Sequence, residues 1–308
     1  MASSEIAVYE HESRRALGTL LALLAILLVG IVLSLAVGRY YIPVRDIGKA
    51  FLGGEVSDKI AQVLFVVRLP RVLAAVLIGG AMSLSGAAYQ GMFKNPLVSP
   101  DILGSSAGAG FGAAVGILLS FSVAGVKTSS FVCGILAVSL TWFISQRFGK
   151  GSDNLFLLIL GGIIVSNLFQ SLISLVKYAA DPTDKLPAIT FWLMGSLSKA
   201  TMQDVKIMLV PFAVCTGILI FCSGQLNILA LGDEEAKTLG VNTVLLQGFV
   251  IVTATVLTAF SVSFCGMIGW VGLVVPHLAR MMIGPNFKYL IPASALLGSS
   301  YLLIMDGF

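Results

Sequence analysis

Charge is what this chain has least of. Asp, Glu, Lys and Arg make up 11% of its 308 residues, 57% are hydrophobic, and the mean hydropathy is +0.98. That balance excludes a soluble globular domain and gives a polytopic membrane protein. The net charge of +4 is spread through connecting segments rather than gathered in a run, so nucleic acid is not expected as a partner. Cysteine is scarce: Cys133, Cys215, Cys222 and Cys265 lie in or beside apolar segments without metal-ligand spacing. They read as small buried hydrophobes, and no metal site or catalytic residue is assigned. The chain contains no G-x-x-x-x-G-K-[ST], so it is not expected to cradle ATP phosphates itself. No carboxylate falls within the apolar spans drawn below, which argues against a proton- or sodium-coupled carrier. The lack of a filter-like carbonyl loop or a ring of charges argues against a channel. Energy for any transport is expected from another chain.

Nine apolar segments are present, each near the length a helix needs to cross hydrocarbon. They run from Ala16 to Val37, Val72 to Phe93, Ile102 to Phe121, Ser129 to Ile144, Leu155 to Val176, Val205 to Cys222, Val244 to Phe264, Met267 to Ile283 and Leu290 to Met305. The first follows a polar head with Glu10, Glu12, Arg14 and Arg15 and lacks a small-residue cleavage site, so it reads as a retained helix. Ala180 to Thr201 carries Pro182, Pro187, Phe191, Trp192 and Met194, which predicts a partly inserted or interfacial segment. Between Gly224 and Asn242, Asp233, Glu234 and Glu235 favour a helix N-terminus and Gly240 its stop. A short charged helix outside the bilayer is expected there.

The stretch from Arg68 to Gly116 holds the densest set of signals. Pro70 suits the first turn of a helix, which would put Arg68 and Arg71 at its positive end. Cations there oppose the macrodipole, so the expectation is that an acidic partner docks on them from the water side. The bland reading is two arginines snorkelling to headgroups. Further on, Gly104, Gly108, Gly112 and Gly116 recur every fourth residue and would form a bare ridge against which another helix can pack in lipid.

RLPRVLAAVLIGGAMSLSGAAYQGMFKNPLVSPDILGSSAGAG, GDEEAKTLGVN and CGMIGWVGLVVPHLAR stand in an order and spacing that resembles the FecCD-type permease subunits of ABC importers for iron-siderophores, haem and cobalamin. The resemblance spans nearly the whole chain. It implies an all-α, cobalamin-importer-like permease with ten spans, in the cytoplasmic (inner) membrane of a bacterium or archaeon, here a single transmembrane domain over residues 1–308. It further implies a second permease subunit, identical or closely related, two cytoplasmic ATPase subunits that use ATP, and an extracytoplasmic substrate-binding protein. This chain would bind no cofactor. Carried over by position, Arg68 and Arg71 match the docking arginines, and Asn95, Pro96 and Leu97 match the turn that narrows the cytoplasmic end of the path. Residues 225–242 match the coupling-helix region, with Gly232, Asp233, Glu234, Glu235, Ala236 and Gly240 as its contact to the ATPase. His277 and Arg280 end the eighth span in VVPHLAR and are given no chemistry.

The family's tenth span has no counterpart before Phe308, so a truncated C-terminus is expected, with the termini on opposite sides. Counting Lys and Arg does not orient the chain by the positive-inside rule, and the orientation follows from the resemblance. The resemblance implies a permease for a metal-chelate. A secondary transporter and a non-transporting membrane scaffold are the alternatives.

Overall fold

The computed structural model describes residues 2–148 and 154–307, with side chains from 13–148 and 155–307. Among the described residues the chain is all-helical. In order it forms α1 (Ala2–Ala36), α2 (Val44–Phe51), α3 (Asp58–Ala61), a π-helical stretch (Gln62–Arg68), α4 (Leu69–Met92), a 3-10 turn (Pro100–Leu103), α5 (Ser105–Leu118), α6 (Val123–Phe148) and α7 (Asn154–Ala179). It continues with α8 (Lys185–Leu193), α9 (Met202–Phe221), α10 (Ser223–Leu229), α11 (Asp233–Thr238), α12 (Thr243–Cys265), α13 (Val271–Ile283) and α14 (Phe287–Gly307).

Helix ends follow local chemistry. The Thr201 hydroxyl accepts the Asp204 N–H at 3.2 Å while Asp204 Oδ2 accepts the Thr201 N–H at 3.0 Å, a reciprocal box that starts α9. Asn242 Oδ1 accepts the Leu245 N–H at 3.0 Å and starts α12.

All nine expected spans contain a helix, but they are not equal. Seven helical runs are long and apolar enough to cross a membrane, while Ser105–Leu118 and Val271–Ile283 are shorter. The third expected span loses its start to the 3-10 turn, and the eighth to an irregular stretch in which Trp270 has φ +70. The segment expected at the interface folds as α8, which buries Ile189 completely and leaves Phe191 and Met194 exposed.

Pro70 does lie in the first turn of α4, but that turn is not a free helix end. Helix begins at Asp58 under a Ser57 cap and runs on through Arg68. The Leu69 N–H bonds to the Leu64 carbonyl, five residues back. A wide π turn is what admits Pro70, which lacks an N–H and whose ring crowds the carbonyl four residues earlier. Arg68 and Arg71 therefore lie inside a continuous helical run, and the dipole argument for an acidic partner falls away.

α4 is the central element, and every residue from Leu77 to Met92 is buried. Its backbone comes against α14 at Gly79, where a Cβ on the facing Gly298 would sit 2.5 Å from Ser83 Cβ. It comes against α13 at Gly86, where a side chain would enter the Gly272 carbonyl. Polar bonds tie it to α12 and α13: the Ser85 and Thr258 hydroxyls are 2.8 Å apart, Tyr89 Oη is 3.2 Å from Thr255 Oγ1, and Gln90 donates to the Leu273 carbonyl at 3.0 Å.

The glycine series divides. A Cβ on Gly108 would lie 2.5 Å from both the Cys133 carbonyl and Ala137 Cβ of α6, and one on Gly112 would lie 2.7 Å from Cys133 Cβ. Gly116 faces Val126 and Ser129 of the same helix. Gly104 is not part of that face. It sits at φ +88 between the 3-10 turn and α5, against Val165 and Ser166 of α7. Leucine at Gly108 or Gly112 should thus cost at least the ~1–3 kcal/mol of overpacking and lower the melting temperature of the detergent-purified protein, although hydrophobicity rises. Wild-type melting in both variants would show that α6 is free to move aside.

Candidate functional site

The sequence-predicted residues fall at the two ends of α4. At the Arg68 end, that guanidinium donates to the carbonyls of Leu35 at 2.6 Å, Ala36 at 3.1 Å and Tyr40 at 2.5 Å. It closes the C-terminal end of α1, whose last carbonyls have no helical partner. Arg71 holds Asp306 of α14 in a fork, Nε to Oδ2 at 2.7 Å and Nη2 to Oδ1 at 3.0 Å, with a further bond to the Asp306 carbonyl at 3.1 Å. Neither arginine is a bare charge. Together they fasten α4 to α1 and α14, although the Arg71 side chain keeps 41% of its surface exposed.

At the other end, α4 stops at Met92 and Lys94 turns the chain at φ +52. The Asn95 side chain accepts the Leu97 N–H at 2.9 Å across Pro96, and Leu97 is exposed. This turn and the acidic helix meet through Lys94 and Asp233, whose Nζ and Oδ1 are 2.5 Å apart. Gln247 of α12 donates to the second Asp233 oxygen at 3.4 Å. In α11, Gly232 lies at φ +149 with the Glu235 carboxylate in the space a Cβ would take, Ala236 is fully buried, and Gly240 ends the helix at φ +81. Glu234 is exposed and bonds Lys237 at 2.8 Å, which holds that ammonium above its ordinary range. Leu231 and Leu239 are exposed on either side of the helix. The α10 side of this connection is anchored by Asn227, which accepts the Phe287 N–H at 2.8 Å and donates to Asn286 at 2.9 Å.

One feature between the ends escaped sequence reading. α7 presents Asn167, Gln170, Ser171, Ser174 and Tyr178 exposed, three or four residues apart and so along one side. The serine hydroxyls bond back to the carbonyls of Asn167 and Gln170, at 2.9 and 3.1 Å. Hydropathy averaged over the span hides this stripe; residue spacing along the span would have revealed it. Among the described residues no His, Cys, Asp and Glu cluster could hold a metal ion.

A family model described as the FecCD transport family matches residues 26–308. The molybdate import system permease protein MolB of Haemophilus influenzae is 41% identical over 291 residues, which cover 93% of this chain and 86% of that protein. The hemin transport system permease protein HmuU of Yersinia pestis is 36% identical over 304 residues, covering 96% of this chain and 87% of that one. A solved structure described as an inward-facing conformation of a metal-chelate type ABC transporter matches with a TM-score of 0.84 at 38% identity, over 94% of this chain and 89% of its own.

The Arg71–Asp306 fork gives a direct test of how the Arg68 end is held. Asp306→Ala should cost about 1 kcal/mol of stability and lower the melting temperature in detergent accordingly, a small effect because solvent screens the half-exposed guanidinium, and Asp306→Glu should recover part of it. Unchanged melting in Asp306→Ala would mean that α14 is held there by packing alone.

Proposed function

This chain belongs to the FecCD transport family and is a multi-pass permease of the ABC importer type, and from that premise we propose that it forms half of a path for an oxygen-rich metal-containing cargo, either a chelate or an oxyanion. The observation that carries this reading is the exposed stripe of amides and hydroxyls on α7. Amide side chains are expensive against lipid, so the stripe belongs on a wet path facing a second permease subunit. Neutral donors and acceptors can pass an oxygen-rich cargo from one hydrogen bond to the next without trapping it as a fixed charge would. The kinds of cargo named for the molybdate and hemin permeases are both served by such a lining.

The ends of α4 have separate roles. The Arg68 and Arg71 end faces an extracytoplasmic binding protein, whose acidic residues share the exposed part of the Arg71 guanidinium. The Asn95–Leu97 turn narrows the cytoplasmic end. α11, with Leu231 and Leu239 exposed beside its acids, seats in one of two ATPase subunits in the inner membrane complex and passes on their closure as a rigid push.

Two substitutions separate path from motor. Asn167→Leu with Gln170→Leu should abolish most uptake in vesicles that hold the assembled importer, while ATPase association and hydrolysis persist. Full uptake by that double variant would overturn the path assignment. Glu234→Lys with Glu235→Lys should instead leave membrane insertion intact and either release the ATPase or let it hydrolyse without uptake. Coupled transport at wild-type level would remove α11 from the contact.

A further inference from the structure

A cavity of about 500 Å³ opens at the Arg68 end of the bundle, between the start of α6, the start of α9 and the last turns of α12. Nothing in the transport reading uses it. Its charged part is two ammonium groups and one carboxylate, beside the uncharged polar side chains of Thr128, Thr201, Gln203 and Ser263. Lys127 Nζ lies 2.5 Å from Asp204 Oδ1 and 4.8 Å from the Phe264 ring centre, while Lys199 stands exposed at the rim. Asp204 is committed elsewhere too, since its Oδ2 accepts from the Thr201 N–H and hydroxyl at 3.0 and 2.9 Å. An ammonium has three donors, and Asp204 is the only hydrogen-bonding partner of Lys127 among the described residues; Lys199 has none. The cavity thus carries one net positive charge and unused N–H groups.

Its apolar part is built for a chain rather than a compact ion. Phe131 and Phe260 meet at 4.4 Å between ring centres, and Phe260 stacks on Phe264. Ile207 on α9 is exposed at the wall, and Val210 and Val214 continue that exposed apolar track toward the middle of the membrane, as Val132 and Leu136 do on α6. Lys127 and Asp204 lie within the first turns of their helices and Phe264 within the last turn of its own, which sets the charge at headgroup depth and the aromatic rings below it.

We propose that this cavity binds an anionic phospholipid, its singly charged phosphodiester between Lys127 and Lys199 and one acyl chain laid over the phenylalanine floor between α6 and α9. Charge complementarity selects the headgroup, and the apolar track selects a lipid over a free anion. The site would brace α6, α9 and α12 at the end where the binding protein approaches.

The test uses the full chain purified in detergent, with native mass spectrometry and thermal melting as readouts, and three probes at matched concentration: phosphatidylglycerol, phosphatidylcholine and inorganic phosphate. Phosphatidylglycerol should stay bound and raise the melting temperature, and the other two should not. Lys199→Glu, at an exposed position, should weaken its retention about fivefold or more, the worth of a lysine at an anionic lipid surface. Lys127→Met with Asp204→Leu, which strands no charge, should weaken it further. Equal retention of phosphatidylcholine would overturn headgroup selection, and an equal effect of phosphate would make this a free-anion pocket. Undiminished phosphatidylglycerol retention in Lys199→Glu would place the lipid elsewhere.

Discussion

The close approach of helix backbones along α4 is the constraint on which the other features depend. In a bilayer the lipid tails are as apolar as the side chains, so helices gain little by hiding leucines from lipid and must gain by contact. Gly79 on Gly298 and Gly86 on Gly272 remove the side chains that would hold α4 away from α14 and α13. Once the backbones are that close, short hydroxyl bridges such as Ser85 to Thr258 can form between helices, and every residue from Leu77 to Met92 is enclosed. A helix enclosed in this way cannot bend independently of its neighbours. Its two ends are therefore joined by one continuously enclosed segment.

That rigidity gives meaning to what is attached at each end. Arg68 and Arg71 bind the end of α1 and Asp306 of α14 by charge-assisted bonds, and so fasten both helices to the run that leads into α4. The α7 stripe is held differently. α7 packs on α5 and α6, α5 reaches α6 through Gly108 and Gly112, and both of those helices pack on α12, so the polar face is carried by helices continuous with the α4 core.

How much of this could be read from sequence depended on how local the cause was. The bilayer thickness sets span length, so the seven long helices were visible as apolar runs, while the two shorter ones, α5 and α13, were drawn too long, and the acids and glycines around residues 232–240 marked α11 because capping is decided within one turn. Pro70 misled for the same reason. Proline at a helix start is the local rule, and the π turn that accommodates it depends on the five residues before it. The partner of Arg71 lies 235 residues away, and the partners of Gly79 and Gly86 lie on helices near the C-terminus, so no window could have paired them. Gly104 was assigned to the ridge by spacing alone, whereas its positive φ belongs to a turn.

The Lys94–Asp233 pair joins these parts. With about a third of each side chain exposed, it adds little to stability, because solvent screens such pairs and ordering two side chains costs entropy. Its importance is positional. Lys94 holds a left-handed conformation that is uncommon for a residue with a side chain, immediately after the enclosed part of α4, and its ammonium reaches the first residue of α11. Asp233 is in turn held by Gln247 on α12, the helix whose threonines meet Ser85 and Tyr89. Asp233 therefore ties α11 to the end of α4 and to α12 together rather than to either alone. Those two helices are themselves joined by buried hydroxyl bonds, so α11 is attached to a packed pair, and α12 in turn packs on the α5 and α6 helices that carry α7.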